Sequence, residues 1–150
     1  MSHINSEIIV HMTPTALLHS HQLKKTPIRL GIIKALQQSG TPLAESDIKE
    51  VLGDVYDRVT FYRSIQTLLL SGIVHRIVAD NTIIRYALKY SADGNKRKTD
   101  HAHFFCRHCN AVVCLNEVDI RKYRVPEGFK AEHCEVIIKG LCDKCAGIDE

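Results

Sequence analysis

Two Cys-x-x-Cys pairs near the C-terminal end constrain the fold of this chain more than any other feature. Cys106 and Cys109 form the first pair, and Cys142 and Cys145 follow after 32 intervening residues. A two-residue spacer allows both sulfurs of a pair to reach one metal ion from a single tight turn. The sequence therefore predicts that the four thiolates close a tetrahedral site around one structural Zn(II) per chain.

Redox-active dithiols and unrelated buried thiols are the alternative interpretations of these pairs. An enzyme, either a zinc hydrolase or a thiol oxidoreductase, would need an open metal position or a general base, and no residue is assigned to either role. A zinc deaminase would need His-x-Glu followed by Pro-Cys-x-x-Cys, but the two Cys pairs are preceded by Phe105 and Leu141 and not by proline. We expect a structural zinc and no enzyme, with the hydrolase or oxidoreductase as a remote alternative.

The N-terminal sequence and the hydropathy predict the cellular compartment. The first six residues, Met-Ser-His-Ile-Asn-Ser, lack the basic start and apolar run of a secretory signal. No stretch approaches the roughly 18 apolar residues that a membrane span needs. Reduced thiols bound to metal are typical of the cytosol. We therefore expect a cytoplasmic protein with no membrane partner.

The charge is unevenly distributed along the chain. Residues 1–98 carry 13 Lys and Arg against 8 Asp and Glu, whereas residues 99–150 carry 7 against 9. A basic N-terminal part joined to an acidic zinc-binding part suggests that the first part contacts a polyanion.

Three Thr-Pro dipeptides, at 13–14, 26–27 and 41–42, precede segments with helical spacing. Threonine at the N-cap and proline at the first helical position are typical helix starts. Gly40 and Gly53 are placed to end the second and third helices. The expected buried stripes are Ile28, Ile32, Ile33 and Leu36 in the second helix, and Ala44, Ile48, Val51 and Leu52 in the third.

A fourth helix is predicted from a cap at Asp57 to about Leu70, with Gly72 as its end. Two β-rich runs follow, 73–78 and 82–88, and the three residues between them predict a hairpin turn. Helices followed by a hairpin indicate a winged helix-turn-helix, whose last helix enters a major groove of DNA.

The polar face of this fourth helix suggests contacts with DNA. Arg58, in the first turn, could bond guanine, while Tyr62 could rest on thymine methyl groups and Arg63 could bind phosphate. The alternative interpretation is a solvated helix face without a ligand.

Five motifs in this order resemble the ferric uptake regulator family of metal-dependent bacterial repressors, over residues 15–146. They are Thr26-Pro-Ile-Arg29, Val59-Thr-Phe-Tyr-Arg63, Gly72-Ile-Val-His75, His101-Ala-His103 and the two Cys pairs. The resemblance implies a homodimer in which two winged helices grip a palindromic double-stranded DNA operator near metal-uptake genes. It places Arg29, Tyr62 and Arg63 at family positions for DNA contact, and we add Arg58 and Thr60 from the same helix.

The resulting fold class is α+β, with a winged helix-turn-helix followed by a small zinc-stapled α/β dimerisation domain. We expect a DNA-binding domain at 1–89, a hinge at 90–99 and a metal-binding dimerisation domain at 100–150. The segment between Cys114 and Phe129 is shorter than is usual in the family, and Val125-Pro126 interrupts it. We therefore expect a shortened or absent dimerisation helix, with dimerisation by strands around 101–106, 111–115 and 129–138.

The family resemblance also implies a regulatory metal site built on His-x-His. His101 and His103 match this motif, and their spacing on a strand places both rings on one face. Cys114 and His75 are the further candidate ligands, although Cys114 could instead be a core residue and the histidines could simply be exposed. A mixed nitrogen and sulfur set slightly favours Zn(II) as the sensed ion over Fe(II) or Mn(II). Iron-dependent or peroxide-sensing repression is the alternative within the family.

Overall fold

The computed structural model of the chain describes residues 12–80, 82–89, 102–115, 118, 123–132 and 134–148. In these residues, helices precede two small sheets. The helices are α1 (Pro14–Ser20), α2 (Pro27–Ser39), α3 (Glu45–Leu52) and α4 (Arg58–Ser71), with a 3-10 turn at Gly53–Val55. The strands are β1 (Val74–Asp80), β2 (Ile83–Leu88), β3 (Ala102–Cys106), β4 (Val112–Leu115) and β5 (Val136–Gly140). None of the helices in this part of the chain is long and apolar enough to cross a membrane.

Local capping signals fix the ends of most helices. The Thr13 side chain accepts a hydrogen bond from Ala16 N at 3.1 Å, and the Thr26 side chain accepts one from Arg29 N at 3.3 Å. The predicted starts of α1 and α2 are therefore confirmed. Gly40 and Gly72 adopt left-handed conformations with φ of 65° and 81°, which a glycine tolerates without a steric penalty.

The third Thr-Pro dipeptide does not begin a helix, so that prediction was wrong. Helix α3 begins at Glu45, after Ala44 as N-cap. The physical reason is a tertiary pairing: Leu43 N donates to Tyr86 O at 2.9 Å, and Tyr86 N donates to Leu43 O at 2.8 Å. This bridge holds the segment before α3 in an extended conformation. Leu43 thereby pairs with β2 as a one-residue third strand beside the β1–β2 hairpin.

The helices enclose one apolar core, to which β1 and β2 also contribute. The four residues predicted for the stripe of α2 are all buried, as are Phe61, Ile65 and Leu68 of α4. The predicted stripe of α3 was wrong at Val51, which is 56% exposed, while Ile48 and Leu52 enter the core. This two-turn helix packs chiefly against α2, and Ile48 and Leu52 are its buried residues.

Strands β1 and β2 pair in an antiparallel hairpin, as predicted. The first strand extends two residues further than expected, because β1 continues to Asp80 across a register shift between Val78 and Asp80. This hairpin is the wing of the winged helix.

The C-terminal sheet has the order β4-β3-β5, with β3 antiparallel to β4 and parallel to β5. The first two of its strands lie close to the predicted positions, whereas the third was wrong: β5 is Val136–Gly140 and not 129–138. The described residues 129–132 are exposed and follow a left-handed glycine, Gly128 with φ of 85°. Among the described residues between Leu115 and Val136 none is helical, and the shortened or absent dimerisation helix stays a prediction.

The wing packs against the C-terminal sheet through a second apolar cluster. Ile77, Ala79 and Ala87 of the wing lie against Phe105 of β3 and Val112 of β4. A hydrogen bond reinforces this junction, since Arg85 Nη2 donates to Asn110 O at 3.1 Å. The predicted hinge, 90–99, lies outside the described residues, so the expected domain limits stay a prediction.

Candidate metal centres and nucleic-acid interface

The two Cys pairs converge at one end of the C-terminal sheet. Cys106 ends β3, Cys109 closes the turn that follows, and Cys142 and Cys145 lie in the turn after β5. The four sulfurs all lie within 4.8 Å of one another, and Cys109 Sγ is 3.8 Å from Cys142 Sγ. A tetrahedron with Zn–S bonds of about 2.3 Å has edges of about 3.8 Å. The arrangement therefore fits a structural metal.

The surroundings of the four sulfurs shift the pKa of two of these thiols in opposite directions. The backbone N–H groups of Cys109, Cys142 and His108 point at the Cys106 sulfur and lower its pKa to about 6. One of these contacts is Cys142 N to Cys106 Sγ, at 3.4 Å. The hydrogen bond with the Cys142 side chain, burial and the other sulfurs raise the pKa of Cys145 to about 12. Four thiolates so close together need a positive charge among them.

The other two cysteines, Cys114 and Cys134, lie outside this cluster. All six cysteines lie in described parts of the chain, and none forms a disulfide. Over those same parts, the Cys cluster is the one group of three or more potential ligands whose donor atoms approach within 4.8 Å. His108 is exposed on the turn between the first two cysteines, as its position predicts.

A second group of potential ligands lies where the wing meets the sheet. The imidazole of His75, on β1, lies against that of His103, on β3, with ring centroids 5.6 Å apart and planes inclined by 39°. His103 is 4% exposed. Cys114 on β4 is the register partner of His103, so their side chains share one face of the sheet. His101 lies outside the described residues.

This grouping unites two of the chain's structural units. His75 comes from the wing, while His103 and Cys114 come from the C-terminal sheet. Neutral imidazole and thiolate are ligands that zinc and other late first-row metals prefer. The residue set at this junction therefore offers nitrogen and sulfur donors from both units.

The candidate DNA-contacting residues on α4 are differently exposed. Arg58 and Arg63 are exposed, and Tyr62 is 42% exposed. Thr60 supports the helix start instead: its hydroxyl and its backbone N–H both donate to Asp57 Oδ2, at 2.6 and 2.9 Å.

Arg29 lies on α2 rather than on α4. It is half-buried, and its Nη1 donates to Lys24 O at 3.1 Å. This bond anchors the guanidinium on the loop that precedes α2.

Sequence reasoning missed Glu45, whose carboxylate joins two tyrosines. Tyr56 donates to Oε1 and Tyr62 donates to Oε2, both at 2.5 Å. These two bonds, with Arg58 and Lys49 nearby, lower the pKa of the Glu45 carboxyl. The same bond raises the pKa of Tyr56 to about 12. The pairs are 11 and 17 residues apart in sequence, so no local pattern indicates them.

Comparison with known proteins agrees with the geometry. Residues 20–139 match the model of the ferric uptake regulator family. The zinc uptake regulation protein of Escherichia coli is 25% identical over 134 residues, covering 85% of this chain and 75% of that protein. The peroxide operon regulator of Bacillus subtilis is 26% identical over 129 residues, covering 81% and 83%.

Solved structures show the same fold. A zinc uptake regulator complexed with zinc and DNA superposes with a TM-score of 0.65 at 20% identity, covering 99% of both chains. The Helicobacter pylori ferric uptake regulator superposes with a TM-score of 0.61 at 16% identity, covering 91% of both. The chain therefore belongs to the ferric uptake regulator family, whose members are metal-responsive transcriptional regulators and not enzymes.

Proposed function

We propose that this chain is a cytoplasmic, homodimeric repressor of metal-uptake genes, and that Zn(II) is the ion it senses. Family membership supports a metal-responsive DNA-binding regulator. The donor atoms in this chain support Zn(II) as the sensed ion. The grouping of His75, His103 and Cys114 at the junction of wing and sheet carries the proposal.

The regulatory site consists of His75, His103 and Cys114, with His101 as a further ligand. An ion held there would have ligands on both the wing and the C-terminal sheet. Since the two units already share an apolar contact, ligation would favour one arrangement of the winged helices over others. An ion that binds this arrangement more tightly raises its population, and operator affinity rises by the same coupling free energy.

The Cys106, Cys109, Cys142 and Cys145 site has a different role, which is to hold one structural Zn(II) per chain. Its four thiol ligands leave no position for a substrate or for exchange with the regulatory ion. It fixes the turn that follows β3, and His103 lies on that strand. The structural metal thus keeps the sheet in place while the regulatory site responds.

The DNA-binding unit comprises residues 1–89 and is joined to the dimerisation unit, 100–150, by a hinge at 90–99. In a twofold dimer, the two α4 helices would enter successive major grooves, so the operator is palindromic. Tyr62 contacts thymine methyl groups, Arg58 contacts base edges, and Arg63 binds phosphate. Thr60 acts through the N-terminal turn of α4, and Arg29 contacts the backbone from α2.

Iron-dependent repression and peroxide sensing are the competing functions within the family. Both favour carboxylate together with imidazole ligands, whereas the described members of this site include a thiol. Asp100, the carboxylate nearest to the site in sequence, lies outside the described residues. The nitrogen and sulfur donors therefore favour Zn(II).

The test begins with a selection of operator DNA from random duplexes by the protein. Zn(II), Fe(II) and Mn(II) are then titrated into protein that retains only its structural zinc, and operator affinity is followed for each ion. We expect Zn(II) to raise the affinity at the lowest free concentration, and we expect His103→Ala to abolish that response.

His108→Ala is the matched control, because His108 is exposed on the turn between Cys106 and Cys109 and is not one of the proposed regulatory ligands. This variant should respond like the wild type. Equal operator binding with and without metal would reject the switch. A response to Fe(II) at lower free concentration than to Zn(II) would reject zinc as the sensed ion.

A further inference from the structure

Glu45 occupies a central position in the helix-turn-helix. It is the first residue of α3, and each of its carboxylate oxygens accepts a hydrogen bond from a tyrosine hydroxyl at 2.5 Å. Tyr56 lies in the connection between α3 and α4, while Tyr62 lies on α4 itself. One side chain therefore ties the N-terminus of α3 to the residue on α4 that we assign to base contact.

The Tyr62 ring is held at two points. Its hydroxyl bonds Glu45, and its ring meets the buried Phe61 ring edge-on, with centroids 5.5 Å apart and planes inclined by 80°. A tyrosine side chain has two rotatable bonds, so two fixed points leave it little freedom. Because the hydroxyl is already used, the apolar ring rather than the hydroxyl is available to a base.

We propose that Glu45 is a positioning residue for DNA recognition, which holds the Tyr62 hydroxyl so that the ring presents its apolar surface to thymine methyl groups. This inference rests on the proposed function. A fixed carboxylate also disfavours close approach of phosphate at this point on α3. Glu45 therefore favours seating of α4 on bases over non-specific contact with the DNA backbone.

The expected effect follows from the freedom that the contact removes. Ordering one side chain on binding reduces affinity roughly two- to tenfold, and a residue held in place before binding avoids this loss. Glu45→Ala and Tyr62→Phe each break the same hydrogen bond. Each should therefore weaken binding to the selected operator by that factor. The double variant should be no weaker than Glu45→Ala, because that variant has already lost the Tyr62 hydrogen bond.

Replacing operator thymines with deoxyuridine tests the contact itself, since it removes only the methyl groups. Wild-type protein should lose affinity on this replacement. Glu45→Ala and Tyr62→Phe should lose less, because their rings are no longer held against the methyl groups. A merely structural role for Glu45 would lower affinity for both DNAs equally and leave the thymine preference intact.

Tyr56→Phe is the matched control, because it removes the other hydroxyl that donates to Glu45 and leaves the Tyr62 bond in place. It should keep the thymine preference. Unchanged zinc content and thermal midpoint would show that each variant is folded. Additive losses in the double variant, or an unchanged preference for thymine in Glu45→Ala, would overturn the proposal. Failure of the wild type to select any DNA would instead reject the proposed function.

Discussion

Truncation of Phe105 tests whether the wing and the C-terminal sheet are one cooperative structure. The ring is 3% exposed and belongs to the cluster that joins Ile77, Ala79 and Ala87 of the wing to Val112 of the sheet. Phe105→Ala removes a ring that packs both within the C-terminal sheet and against the wing. We expect it to destabilise the sheet and to weaken the docking of the wing.

The magnitude follows from burial. Replacing a fully buried phenylalanine with alanine costs about 3–5 kcal/mol, through lost transfer free energy and the cavity that remains. Phe105 is buried nearly completely, so we expect a loss in that range. Phe104, the next residue of β3, faces the opposite side of the sheet and is only half-buried. Phe104→Ala should therefore cost about half as much, and it should leave the wing contact intact.

Two spectroscopic probes separate the two units during urea unfolding. All helices in the described residues lie between Pro14 and Ser71, so helical circular dichroism reports the winged helix. Zinc release, followed with a chromogenic chelator, reports the cysteine cluster. We expect the two transitions to coincide in the wild type and in Phe104→Ala. In Phe105→Ala, zinc release should occur at lower urea than the loss of helix.

Coincident transitions in Phe105→Ala would refute the reasoning, because they would show that this ring does not couple the units. The same separation in Phe104→Ala would also refute it, since that ring does not belong to the cluster with the wing.

Three further predictions concern the other parts of the structure. Cys142→Ser should lower the zinc content, measured by mass spectrometry of the native protein, and should destabilise the C-terminal sheet. Gly31→Ala should lower the free energy of unfolding by about 0–2 kcal/mol. The added β-carbon would lie 2.3 Å from Leu52 Cδ2, and such overpacking costs about 1–3 kcal/mol. The higher helix propensity of alanine offsets about 1 kcal/mol of that cost. The side chain and then the backbone N–H of Thr60 donate hydrogen bonds to Asp57 and lower the pKa of its carboxyl below the ordinary value of 3.8. The ionised Asp57 therefore stabilises the folded protein above pH 3.8, and this stabilisation is lost as the pH falls through the lower pKa of the folded state. Asp57→Asn should remove this pH dependence, as shown by unfolding midpoints of both proteins between about pH 5 and pH 3.

Each of these predictions has a contrary outcome. Cys134 is half-buried and outside the sulfur cluster, so Cys134→Ser should retain the zinc that Cys142→Ser loses; equal loss would contradict the site. A more stable Gly31→Ala would show that Leu52 relaxes freely. Parallel acid profiles for Asp57→Asn and the wild type would show that the cap does not contribute to the pH dependence.

The sequence predicted best those features that depend on neighbouring residues. Thr13, Thr26 and Asp57 cap helices because their side chains reach N–H groups three residues away. The Cys pairs predicted a cluster because two residues of spacing suit one ion.

The wrong predictions concern long-range contacts. Thr41 does not begin a helix because Leu43 pairs with Tyr86. The two residues are 43 positions apart, so no local sequence pattern indicates this pairing. The third strand of the C-terminal sheet lies later than predicted because β5 takes its register from parallel pairing with β3, and not from its own composition. The Glu45 contacts with Tyr56 and Tyr62 likewise have no local sequence signal.

The candidate regulatory site was reached from the family resemblance rather than from spacing. His75 and His103 are 28 residues apart, and only the docking of the wing brings their rings together. Their assignment as metal ligands stays a prediction.

The most direct test of the central claim is the affinity of the second zinc ion in His75→Ala. Zinc is titrated against a competing chelator into protein that already holds its structural zinc. The titration compares the wild type, His75→Ala and, as a control at an exposed residue, His108→Ala. If the wing supplies a ligand, His75→Ala should bind the second ion at least about tenfold more weakly, while the control should match the wild type. Wild-type affinity in His75→Ala would contradict the claim that the regulatory metal joins the wing to the sheet.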